Sequence, residues 1–104
     1  FIMGFSMGGG CALEMAMMRP DVVQKVVAIS PVPPIFDHAT RNEKTRVMII
    51  IGENDQVVAP KYSEKWKKHF QYVTVIYHTH EKGHIAGLPG KIKRQIKQFL
   101  TAAV

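Results

Sequence analysis

Apolar residues fall into short unbroken blocks, separated by polar stretches that carry glycine and proline. Phe1–Met3 reads as the end of a buried strand. Cys11–Arg19 is rich in Ala, Leu, Glu and Met, which predicts a helix; it stops near Arg19-Pro20, because the residue before proline avoids helical geometry. Lys25–Ser30 is a β-branched run closed by Pro31, a second buried strand. Pro31 to Thr45 holds three prolines with Asp, His, Asn and Thr, a loop composition. Arg46–Ile51 is the clearest strand, and its apolar run is continuous, as expected where both faces are covered. Gly52 to Ala59 reads as a loop and Pro60–Phe70 as a helix with proline in its first turn. Val73–Tyr77 is a third full strand. The last helix runs from about Gly90 to Ala103, with Ile92, Ile96, Phe99 and Leu100 on one face.

Strands alternating with helices predict an α/β fold, a parallel sheet flanked by helices and built from right-handed crossovers. The chain opens inside an apolar run with no turn or cap before it and no initiator methionine. It is therefore expected to be part of a longer protein, with N-terminal strands missing and one sheet edge bare where they belong.

The chemistry begins at the first strand-to-helix junction. Gly4-Phe5-Ser6-Met7-Gly8 reads G-x-S-x-G. A sharp turn there, an elbow, strains the serine backbone and lifts its hydroxyl above the sheet, while flanking glycines remove Cβ clashes. The helix that follows aims its first N–H groups and positive dipole end at a developing oxyanion, which makes the Met7 backbone N–H a candidate donor. Ser6 is the candidate nucleophile. Asp55 lies just past the strand ending at Ile51, and His84 past the strand ending at Tyr77. Carboxyl ends of parallel strands are where open α/β sheets place their sites.

With the order Ser6, Asp55, His84, the chain resembles the α/β-hydrolase family along nearly its whole length. Gly52-x-x-Asp55-x-x-Val58, with Pro60 one place later than usual, and Gly83-His84 are similar to the family's acid and base motifs. The resemblance implies the C-terminal part of an α/β-hydrolase fold over residues 1–104, with Ser6, Asp55 and His84 as nucleophile, acid and base. Only fifteen residues, Pro31 to Thr45, separate the strand after the elbow from the acid strand, too few for a cap insertion. In that respect the chain is similar to the cap-less carboxylesterase and phospholipase group, acyl-protein thioesterases included, and to small fungal-type serine hydrolases. The expected reaction is cleavage of a carboxylic ester or thioester through an acyl-enzyme, with no metal or organic cofactor. The alternatives are a non-catalytic binding member of the same fold, or a fragment inactive for want of a second oxyanion donor.

Rival residues are assigned plainer roles. Glu53 sits off the acid spacing. His78 and His80 read as strand-end and loop histidines, since no carboxylate or cysteine cluster accompanies them as a metal site requires. His38 and His69 are expected at solvated surface, Cys11 as a small buried hydrophobe, and Met15, Met17 and Met18 as helix-packing residues.

Composition adds little to this. The chain has 104 residues, 46% hydrophobic and 21% charged, which fits one globular domain. A single cysteine forms no internal disulfide, and no leader segment opens the chain, so a reducing, cytoplasmic setting is the default. The net charge of +6 gathers on two helices as Lys61, Lys65, Lys67, Lys68 and Lys91, Lys93, Arg94, Lys97. Such faces are the polar outsides of helices that flank a sheet. The expected partner is a small-molecule or lipid-linked acyl ester, with no specific nucleic acid and at most weak association with anionic membrane surfaces.

Overall fold

The computed structural model describes residues 1–36, 38–79 and 88–103. Strands β1 (Ile2–Phe5), β2 (Lys25–Ile29), β3 (Asn42–Gly52) and β4 (Phe70–His78) form one sheet in that order, every neighbouring pair parallel. Helix α1 (Met7–Met18) links β1 to β2. A four-residue helix, α2 (Pro60–Ser63), runs straight into a 3-10 helix, Glu64–His69, and α3 (Gly90–Thr101) follows β4.

The unbroken apolar runs of β2 and β3 divide alternately between two faces, as successive strand side chains must. Val26, Ala28, Val47, Ile49 and Ile51 pack with Leu13, Ala16, Trp66 and Phe70 under α1 and the 3-10 helix. Val27, Ile29, Met48 and Ile50 pack on the opposite face with Ile92 and Ile96 of α3. Each such aliphatic burial contributes roughly 1.5–3 kcal/mol, so the two layers together fix the sheet. Along β1 the α3-side residues Met3 and Phe5 stay half-exposed.

Lys25 interrupts the apolar pattern of β2 yet is buried. Its Nζ donates to the Phe99 carbonyl at 2.7 Å and to the Ala102 carbonyl, occupying the negative C-terminal end of α3. The cation thereby ties the first full strand to the last helix.

Several local expectations are corrected. The sequence reading ends the loop at Thr45, but β3 begins at Asn42. Asn42 is buried, donates to the Ala16 carbonyl at 3.0 Å and accepts the Lys44 and Thr45 amides, so a bulge before Arg46 replaces loop. The helix expected over Pro60–Phe70 is mostly 3-10, and Phe70 already belongs to β4. Cys11 is exposed, because α1 turns Ala12, Leu13 and Ala16 toward the sheet instead. Met15 and Met18 are exposed for the same reason, and only Met17 packs on the core. His38 and His69 leave the solvated surface expected for them. His38 Nε2 lies 2.6 Å from Glu14 Oε1, and His69 is buried with its ring centroid 5.3 Å from that of His38.

Candidate active site

Ser6 occupies the single residue between β1 and α1, with φ 55° and ψ −115°. This left-handed backbone costs a non-glycine residue on the order of 1–3 kcal/mol, and it persists only where its surroundings over-determine it. Three hydrogen bonds do so. The Ser6 N–H donates to the Ile29 carbonyl at 2.8 Å, and the Ser6 carbonyl accepts the N–H of Gly10 at 3.1 Å and of Val32 at 3.2 Å.

The sequence reading gives both flanking glycines a steric reason, but only Gly4 has one, since a Cβ added at Gly8 would meet nothing within 4 Å. A Cβ added at Gly4 would run into the Gly8 carbonyl and stand 2.7 Å from the Gly9 nitrogen, so strand and helix cross too closely for any side chain there. Met7, the first residue of α1, holds one of the four leading amides that have no partner within the helix ladder. The Ser6 hydroxyl does not cap that helix. The turn can therefore present an alkoxide source beside an amide that points the positive end of a helix dipole.

Asp55 is 5% exposed, whereas its rival Glu53 is exposed. Its Oδ1 accepts the N–H groups of Val57 and Val58, both at 2.9 Å, and its own N–H donates to the Gly52 carbonyl at 3.2 Å. The carboxylate is thus fixed by the loop it lies in, and Val58 buries just before the chain enters α2. Ser6 and Asp55 both lie at the carboxyl ends of their strands, after β1 and β3.

His84, with Gly83 and His80, falls outside the described residues. His78 ends β4 and pairs in register with Gly52. A Cβ added at Gly52 would lie 3.6 Å from His78 Nε2 and 3.7 Å from Asp55 Cβ. The structure therefore brings the His78 ring and Asp55 to the same side of Gly52, a proximity that the sequence reading missed. The signal was the register: the last residue of one strand opposite the residue that opens the acid loop. Next to it, the Tyr77 phenol is pushed above its ordinary range, first by desolvation and then by the negative charges of Glu64 and Glu53. It stays neutral wherever an imidazole titrates. Among the described residues no group of His, Cys, Asp and Glu is arranged to hold a metal ion, and no helix is long and apolar enough to cross a membrane.

Comparison with known proteins places the fold. Residues 1–84 match the model of the Dienelactone hydrolase family. No curated protein matches the chain. Among solved structures, the α/β hydrolase enzyme MGS-MChE2, from the metagenome of sediments of the Mar Chica lagoon in Morocco, superposes with a TM-score of 0.77 at 20% identity, over 95% of this chain and 60% of its own. Est1E from Butyrivibrio proteoclasticus, solved with ferulic acid, gives 0.76 at 14% identity, over 96% and 57%. Acetyl xylan esterase 1 from Thermoanaerobacterium sp. JW/SL YS485 gives 0.72 at 21% identity, over 96% and 45%. The fold is that of an α/β hydrolase, and the chain spans about half the length of these structures.

Proposed function

The chain belongs to the dienelactone hydrolase family, and on that premise we propose that its full-length protein is a serine hydrolase of carboxylic esters or thioesters. The observation that carries this is the Ser6 backbone, strained at φ 55° between a strand and a helix N-terminus. A dienelactone is a cyclic ester, and acetyl xylan is an ester as well, so the names of the family and of one structural neighbour share one bond class.

In this reading Ser6 Oγ attacks the acyl carbonyl as His84 accepts its proton. The Met7 N–H receives charge on the oxyanion. His84 then returns the proton to the leaving alcohol or thiol, and water repeats the sequence to release the acid. Asp55 holds the imidazole in the right tautomer and stabilises its charged form. No metal or organic cofactor takes part. The substrate is a small-molecule or lipid-linked acyl ester, and no specific nucleic acid is involved.

The test uses the full-length protein with p-nitrophenyl acetate, an acyl thioester and a fluorophosphonate label. The expected result is turnover and labelling in the wild type, with Ser6→Ala lowering kcat by at least ~10³-fold and removing the label. A Ser6→Ala protein that keeps more than a few per cent of wild-type turnover would end the assignment.

A further inference from the structure

Two residues beyond the elbow, Pro31 and Val32, form a strap whose backbone groups all bind outside the strap. Pro31 has no N–H, and its carbonyl accepts the Ser63 hydroxyl at 2.8 Å. The Val32 N–H donates to the Ser6 carbonyl at 3.2 Å, and the Val32 carbonyl accepts Trp66 Nε1–H at 2.7 Å. Against α1 the strap has no slack. A Cβ added at Gly10 would strike Val32 Cγ2, and one added at Gly9 would lie 3.3 Å from Pro31 Cα.

Both donors that hold the strap come from one segment. Ser63 ends α2 and Trp66 lies in the 3-10 helix, each essentially without exposure, and this segment is what the Asp55 loop leads into. Trp66 therefore sits at the end of a hydrogen-bonded line: indole N–H to Val32 carbonyl, then Val32 N–H to Ser6 carbonyl. The line reaches the Ser6 carbonyl, which accepts two of the nucleophile's three braces, the N–H groups of Gly10 and Val32. A strained residue keeps its geometry only through such braces.

We propose that Trp66 is a positioning residue for Ser6, acting through Val32. The inference rests on the hydrolase reading and extends it. Packing alone would make Trp66 a core residue whose loss lowers stability. The strap adds a second consequence, a displaced nucleophile, and displacement on the ångström scale costs on the order of 10²-fold in rate.

The experiment compares Trp66→Phe, which keeps most of the ring volume and removes the donor, with Phe70→Leu, which trims the same core cluster beside the Trp66 ring and removes none of the strap's hydrogen bonds. Both are made in the full-length protein and assayed well below their melting temperatures. Trp66→Phe is expected to lower kcat and the fluorophosphonate labelling rate about tenfold with KM nearly unchanged, as a displaced reacting group should. It should also speed amide hydrogen exchange at Val32 and Gly10. Phe70→Leu is expected to lower the melting temperature and to leave kcat and those two amides as in wild type.

Unchanged exchange at Val32 in Trp66→Phe overturns the proposal, as does an equal loss of kcat in Phe70→Leu. A wild type that neither turns over esters nor takes the label refutes the hydrolase reading instead. The exchange comparison then still decides whether Trp66 braces Ser6.

Discussion

Ser6 and Ser30 leave adjacent strands side by side, and among the described residues they are the non-glycine positions with positive φ, 55° and 46°. Each is held by the next strand: the Ser6 N–H donates to the carbonyl of Ile29, the residue before Ser30, and the Ser30 N–H donates to the Ile50 carbonyl at 2.8 Å. The strain at both sites separates stability from activity. Ser30→Gly is expected to be neutral or to stabilise by up to about 1 kcal/mol, since glycine enters this region without a Cβ clash. Ser30→Val is expected to cost about 2 kcal/mol or more, because a β-branched residue resists positive φ. Ser6→Gly should likewise hold or raise the melting temperature while abolishing turnover. Calorimetric melts of the three proteins check this, and a Ser30→Val protein as stable as wild type would contradict it.

The two glycines of the G-x-S-x-G motif are not equivalent. A Cβ at Gly4 meets the backbone of Gly8 and Gly9, which has no way to move aside, whereas one at Gly8 meets nothing within 4 Å. Gly4→Ala is expected to unfold the elbow, with loss of several kcal/mol or no folded protein. Gly8→Ala should stabilise the helix by about 0.4–1 kcal/mol. Equal melting temperatures for the two variants would refute the steric account.

Asp55 has a structural duty and, in the proposed reaction, a chemical one, and substitution can divide them. Asparagine keeps an oxygen to accept the Val57 and Val58 amides but carries no charge. Asp55→Asn should therefore retain most of the stability while kcat falls by roughly 10⁴-fold, as for a triad whose acid is neutralised. Asp55→Ala should add a stability loss of about 1–3 kcal/mol, mostly from the abandoned buried N–H of Val58. Circular dichroism melts paired with kcat measurements separate the two effects.

Among the histidines, His84→Ala should abolish turnover, while His78→Ala should cost far less, through its place beside Gly52 and Asp55. Activity should rise with pH as the base imidazole loses its proton. The Tyr77 phenol, already held above its usual range, stays neutral through that rise and adds no limb of its own. Comparable losses in the two variants would mean that the base has been misassigned.

The strands and the elbow were legible because their signals are local. Phe1–Met3, Lys25–Ser30 and Arg46–Ile51 announce themselves by composition, and the need for glycine at position 4 follows from a crossing within five residues. What escaped the sequence depends on distant partners. Trp66 finds Val32 across 34 positions, and Lys25 finds Phe99 across 74. His38 read as surface because its partner, Glu14, lies 24 residues away on another element. Asn42 read as loop because its carboxamide, not its apolarity, is what seats it in the sheet. Cys11 was misread for a different reason: α1 is apolar nearly all round, so its sequence does not say which side faces the sheet.

The order of the strands also acts as a ruler. Ser6 follows β1 and Asp55 follows β3, with β2 between them. Neighbouring strands stand about 4.8 Å apart, so the two strand tips are separated by roughly 10 Å. No direct hydrogen bond from a carboxylate to a hydroxyl spans that gap. An imidazole with a hydrogen bond at each nitrogen does, once the two short side chains lean inward. Lysine offers a single nitrogen and tyrosine a single oxygen, so neither can accept on one side while donating on the other across the same width. The lateral pitch of a β-sheet, counted twice, thus selects the kind of side chain that can connect this serine to this aspartate.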